Sequence, residues 1–142
     1  MATVSGLTNG LPYSFDVTAM RGATAGTVSA RSAVVVPATV PGAPRIGTAS
    51  SGVAGGAISA VARWSAPVST GGSAITSYRV IAQRLSSTGA VLSTAVSGHR
   101  PAAERAYSMA LPVAGNYRFW VRAVNATGTG AYSARSNQVA GR

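Results

Sequence analysis

The residues best able to do chemistry in this sequence are Arg118, Trp120 and Arg122, which alternate along one short run, together with Arg79. Successive side chains of an extended strand point to opposite faces. The spacing therefore puts two cations and an indole on one face while Tyr117, Phe119 and Val121 take the other. Such a face can stack a sugar or a base through the indole and contact an anion through the guanidinium groups. Arg79, Ile81 and Gln83 alternate in the same way after Tyr78 and are expected to share that outer face. Arg79, Arg118, Trp120 and Arg122 are thus the candidate ligand-binding residues. The competing reading is that Trp120 lies under the aliphatic stems of Arg118 and Arg122, or fills a contact between domains, and meets no ligand.

Other chemistry has little to work with. The sequence holds one histidine, His99, and two acids, Asp16 and Glu104. A nucleophilic serine needs an oriented base and a strained turn to hold it, and the many serines here fall in strand and turn contexts without such a turn. Three scattered titratable groups do not make a converging ligand set, and the absence of cysteine removes thiolate sites and disulfides. No glycine-rich strand-to-helix phosphate motif is present. No catalytic residue, metal or cofactor is expected.

The elements that position the candidate face come from a repeat. Residues 5–36 can be laid over residues 109–140 without a gap, at a constant offset of 104: Leu7 on Leu111, Tyr13 on Tyr117, Phe15 on Phe119, Val17 on Val121, Gly26 on Gly130. The run from Ser29 through Ala30 and Arg31 to Ser32 falls on Ser133, Ala134, Arg135 and Ser136. A period near one hundred residues is too long for a solenoid and fits one small globular domain. The chain therefore reads as the C-terminal part of one module, residues 1–38, followed by a complete module, residues 39–142. On that reading Met1 is an artificial, mis-called or internal start in a longer polypeptide, and any export signal lies upstream. At the candidate face the first copy has Ser14, Asp16 and Thr18 where the second has Arg118, Trp120 and Arg122, so the patch is private to one module.

Alternation in steps of two at Tyr13 to Ala19 and at Tyr117 to Ala123 predicts half-buried strands, and similar runs cover 58–64 and 78–82, with weaker ones at 91–96 and 105–111. Turn-rich stretches at 55–56, 69–73, 86–89 and 125–130 separate them, at the spacing of a sandwich or barrel. No segment has a helical period, and no apolar stretch is long enough to span a membrane as a helix. Pro37, Pro41, Gly42 and Pro44 form a short connector that resists strand pairing and should hold successive modules within a limited range of angles.

Trp64, Pro67, Gly71, Gly72, Ile75, Tyr78 and Val80, followed by Leu111 six residues before Tyr117 and then Phe119, Val121, Ala123 and Asn125, resemble the signature of a fibronectin type III domain of the kind found in bacterial secreted proteins. The resemblance implies an all-β, immunoglobulin-like sandwich of seven antiparallel strands, with Trp64 filling the space between the sheets and Tyr13 and Tyr117 as tyrosine corners. Ala60 and Ala62 depart from it, standing where bulkier apolar groups are usual, which implies a thin patch of core or compensation from the facing sheet.

The family setting implies a non-catalytic spacer and interaction module in a bacterial extracellular or cell-surface protein. Two alternatives stand beside it: glycan or polyanion binding through the Arg/Trp face, and self-association through residues 1–38, whose strands lack partners. The net charge of +10, from twelve arginines and no lysine, favours polyanions in general, although GC-rich coding gives the same bias. Expected partners are neighbouring domains of the same polypeptide and polysaccharide or anionic cell-wall polymer, rather than nucleic acid.

Overall fold

The computed structural model describes residues 2–142, which form strands and turns and no helix. In chain order the strands are β1 (Thr18–Arg21), β2 (Thr24–Val28), β3 (Arg45–Ile46), β4 (Ser50–Ser51), β5 (Ser59–Ser65) and β6 (Ile75–Leu85). They continue with β7 (Val91–Val96), β8 (Arg100–Pro101), β9 (Ala106–Ala110), β10 (Gly115–Asn125), β11 (Gly128–Tyr132) and β12 (Val139–Gly141). All pairing is antiparallel. One sheet gathers β3, β4 and β9 around β5; the other runs β11, β10, β6, β7, with β12 beside β10 and β8 beside β6. Three edge strands are interrupted, so that β3 with β4, β7 with β8 and β11 with β12 each flank one partner. Joined in this way, the strands of residues 45–141 make the expected seven-stranded sandwich.

The core lies between the sheets and is unequally shared. Tyr78, Tyr117 and Phe119 are the largest fully buried side chains, and all three belong to β6 and β10. Across from them, Ala60 and Ala62 of β5 are wholly inaccessible. The alanines leave no gap because rings from the facing sheet fill the space they vacate, and Met109 and Tyr107 stand beside them in register on β9. Trp64 closes this layer, its ring tilted 55° against Tyr78 at 5.5 Å, and burial of each such ring contributes roughly 1.5–3 kcal/mol. The Tyr117 hydroxyl donates to the Val113 carbonyl at 2.7 Å, which satisfies its polar tip as a tyrosine corner requires.

Serines explain the interrupted edges. Beside β10, Ser133 donates its amide to Val121 O, and its hydroxyl oxygen accepts the Val121 amide at 2.9 Å. Ser136 does the same for Phe119, and Ser97 for Val80 on β6. At each point the edge strand bulges, its next carbonyl turns away from the ladder, and the serine oxygen takes that carbonyl's place as acceptor. From Ser133 to Ser136 the edge advances three residues while β10 advances two, from Val121 to Phe119. The repeated Ser-x-x-Ser run is thus a structural device for satisfying buried amides.

The N-terminal segment reproduces these bonds at the same offset. Thr18 pairs with Val28 and Met20 with Ala25, as Arg122 pairs with Tyr132 and Val124 with Thr129, with the register shift at the same place. Ser29 and Ser32 bond Val17 and Phe15 through amide and hydroxyl alike. The expected burial is missing, however: Val17 is 70% exposed where Val121 is 0% exposed. Beyond the bridge from Tyr13 to Val35, residues 14–17 belong to no strand, because no neighbouring strand stands beside them as β6 stands beside β10, and without a facing sheet Val17 stays uncovered. The half-burial expected from Tyr13 to Ala19 holds at Tyr13 and Phe15 and is corrected at Val17 and Ala19, which are exposed.

The connector is fastened to the module that follows it. Thr39 N–H donates to Gly71 O and Gly42 N–H to Ser69 O, while the buried Asn125 amide donates to Thr39 O at 2.8 Å and Thr70 O at 2.9 Å. Gly71 and Gly130 have to be glycine, since a Cβ on either would collide with the connector's backbone at Thr39 or Pro41. Gly72, in turn, abuts the backbone at Gly10, so the N-terminal segment meets the same loop.

The serine device predicts a difference between the copies. Ser136→Ala strands the buried Phe119 amide and should lower stability by about 1–3 kcal/mol in urea denaturation. Ser32→Ala, at the exposed equivalent, should change it by no more than about 0.5 kcal/mol.

Candidate functional site

The register of the two central strands decides where the candidate residues lie. Arg118 stands opposite Gln83, Trp120 opposite Ile81 and Arg122 opposite Arg79, while Tyr117, Phe119, Val121, Tyr78 and Val80 point into the core. Arg79, Arg118, Trp120 and Arg122 therefore share the outer face of the larger sheet, each half-buried.

Trp120 is held by its own chain. Its ring packs against Tyr132 at 5.5 Å and 50°, and the Arg135 guanidinium lies 4.9 Å from its centroid. On the far side of Tyr132, the Arg122 guanidinium sits 4.3 Å from the phenol ring. The series Arg135, Trp120, Tyr132, Arg122 is thus a ladder of two packed rings with a cation at each end, each contact of which is electrostatically favourable. The indole is held among neighbouring side chains, neither standing free as a platform nor lying beneath the stems of Arg118 and Arg122 alone. Its Nε1 is shielded from solvent without a hydrogen-bond partner, as are the Nε atoms of Arg79 and Arg118.

Beside the ladder is an open cleft of about 250 Å³, lined by Arg79, Ile81, Val96, Arg122, Thr129 and Tyr132. Ile81 faces outward yet is only 5% exposed, because these neighbours surround it. Arg122 is fixed in the cleft wall by donation from Nε to Gly130 O at 2.8 Å. Arg79, directly across the strand, makes no hydrogen bond through its Nε. Like charges at a cross-strand pair repel, and among the described residues the only ion pair is between Arg100 and Glu104 at 2.9 Å. That pair raises the Arg100 guanidinium above its ordinary pKa, chiefly through the hydrogen bonds it donates to the Glu104 carboxylate. Glu104 is therefore committed elsewhere, and Asp16 stands in the N-terminal segment.

Two participants, Tyr132 and Arg135, lay outside the sequence-derived set. Tyr132 was open to discovery from the tight turn after Asn125, which sets it opposite Arg122. Arg135 depends on the serine bulges that carry its side chain back over β10. The only histidine takes no part: His99 Nδ1 hydrogen bonds the Ser77 hydroxyl at 2.8 Å, and Glu104, turned to Arg100, does not orient the imidazole. No group of three or more metal-ligating side chains occurs among the described residues.

A family model for the fibronectin type III domain matches residues 43–139. The chain belongs to the fibronectin type III family. Domains of this family are generally non-catalytic structural modules, and the seven-stranded sandwich is their fold. Among solved structures, the chain is similar to domains A168–A170 of titin, with 25% identity and a TM-score of 0.59 over 82% of this chain and 38% of that one. It is also similar to the titin kinase with its flanking domains, at 28% identity and a TM-score of 0.55, over 71% of this chain and 17% of that one. The twitchin kinase region from C. elegans shares the fold at 18% identity and a TM-score of 0.52, over 70% of this chain and 16% of that one. The chain thus spans well under half the length of each of these solved chains. No curated protein matches it.

The ladder predicts coupled losses in this fibronectin type III module. Trp120→Ala should cost about 1–2 kcal/mol and Arg135→Ala about 0.5–1 kcal/mol. In denaturation of the double variant the two losses should fall short of adding, since they share one contact.

Proposed function

We propose that this chain is a non-catalytic spacer and interaction module of a larger protein, holding the domain before it at a set angle. The observation that carries this reading is the fastened connector. Asn125 ties it to the loop at Thr70, and Gly71 and Gly130 admit its backbone so closely that no side chain fits. A connector bonded along its length to one module transmits orientation, where a free glycine-rich linker would lose it. Residues 1–38 we read as the C-terminal part of a preceding module, supported by the hydrogen bonds and register shift they share with the second copy. The setting we infer is a bacterial extracellular or cell-surface protein, on the resemblance of the Trp64 to Asn125 signature to modules of such proteins.

A second reading, recognition of polyanion or glycan by the outer face, is favoured by the cross-strand pair of arginines without acidic partners. A third, self-association through residues 1–38, is favoured by the apolar hollow of about 530 Å³ around Leu7, Phe15, Val17 and Val35. It predicts concentration-dependent oligomers in sedimentation that disappear when residues 1–36 are removed.

The spacer reading is tested with Asn125→Ala. Residual dipolar couplings from residues 2–36 and 41–142 should fit one alignment tensor in the parent chain and two in the variant, with a stability loss of about 1–3 kcal/mol. Two independent tensors in the parent chain would sink the proposal.

A further inference from the structure

We infer that the cleft between Arg79 and Arg122 is a binding site for a carboxylated sugar unit of an acidic polysaccharide. This rests on the recognition reading of the outer face and narrows it to one subsite and one ligand chemistry. The two guanidinium groups lie across the strand pair from each other, and no carboxylate of this module is free to stand between them. Their mutual repulsion is relieved when an anion enters the cleft.

The geometry selects the kind of anion. Arg122 is already immobilised, its Nε on Gly130 O and its plane against Tyr132, which leaves the Nη side of the fork for a ligand. Arg79 has a solvent-shielded Nε with no partner in the chain. The planar Nη groups that remain match a carboxylate, one fork meeting it end-on with two parallel hydrogen bonds and the other from the side. Beside the forks, Ile81 and Val96 give the cleft an apolar lining, Tyr132 an aromatic one, and Thr129 adds a hydroxyl-bearing side chain. A bare inorganic anion uses none of these, whereas a pyranose carrying a carboxylate uses both the apolar and the polar lining. At about 250 Å³ the cleft suits a single ring rather than a large ligand, and its open form on a sheet face lets a chain pass through. Arg118 and Arg135, on the same face and in no ion pair, offer charge to the units on either side. That extension favours a regularly charged polysaccharide over an acidic peptide, whose carboxylates sit on flexible stems.

The cleft also differs from an indole-centred site in what it requires. Trp120 acts by holding Tyr132 and does not line the cleft. Arg79 is the residue whose loss removes a grip on the ligand without disturbing the ladder.

The test is titration of the whole chain with trigalacturonate at physiological salt, followed by amide chemical shifts, with the neutral methyl ester of the same trimer in parallel. Shifts should centre on Arg79, Ile81, Val96 and Tyr132, the ester should give none, and Arg79→Gln should weaken binding at least about tenfold. Arg63→Gln, on the opposite sheet, should leave it unchanged. Val96→Glu places a carboxylate beside the forks from an exposed position; it should abolish binding and, with no sugar present, raise Tm by about 2–4 °C.

Equal losses from Arg79→Gln and Arg63→Gln would overturn the cleft and leave diffuse attraction. Binding that survives Arg79→Gln but is lost in Trp120→Ala would overturn the cleft while keeping the outer-face reading. Tighter binding of a glutamate-rich peptide or of a sulfated trimer, with the same dependence on Arg79, would overturn the ligand class. No binding of any of these probes would overturn both the cleft and the reading beneath it.

Discussion

The amides of β10 set the constraint on which the rest of the module depends. This strand lies inside its sheet, with Tyr117, Phe119, Val121 and Ala123 inaccessible on one side of its backbone, so any of its N–H groups left without an acceptor would be desolvated for nothing in return. Toward β6 the need is met by a long regular ladder. Toward the edge it is met by β11, then by two serine hydroxyls, then by β12. Because serines stand in for carbonyls there, the edge can bulge outward without orphaning β10, and the bulged segment carries Arg135 out over the indole. The hydrogen-bond requirement of the core thereby shapes the surface.

That surface is organised by charge that has nowhere to go within the module. With one acid per copy and twelve arginines in the chain, the guanidinium groups turn to rings and carbonyls: Arg122 to Tyr132 and Gly130, Arg135 to Trp120. These contacts stabilise the cations without neutralising them, so the outer face keeps its positive field. Cation–π stacking gives each side chain a fixed place and leaves its charge available, a combination suited to recognition of an anion by a pre-organised surface.

The two copies separate the roles of local pattern and of packing. Residues 13–36 make the bridge, the hairpin, the register shift and all four serine hydrogen bonds of their counterparts, yet Val17, Val28 and Val35 remain exposed and Tyr13 and Phe15 only half-buried. Backbone geometry is therefore specified by short-range features, the tight turn and the Ser-x-x-Ser spacing, whereas burial needs the opposite sheet, which only residues 45–110 supply. The same distinction accounts for Ala60 and Ala62, whose small size is intelligible only once Tyr78 and Phe119 are seen to fill the layer from the other side.

The sequence alone determined the β class, the repeat, the position of the connector and the sharing of one face by Arg79, Arg118, Trp120 and Arg122. Each of these follows from period-two alternation, from proline and glycine chemistry or from internal comparison, which act over a few residues or between aligned copies. What only the tertiary structure decided were matters of long-range register and of one element leaning on another. The stacking of Arg135 on Trp120, the placing of Arg79 across from Arg122, the cleft over Ile81 and the grip of Asn125 on the connector join residues far apart in sequence. No local pattern encodes them, because the free energy that fixes them comes from the closing of the two sheets on a shared core.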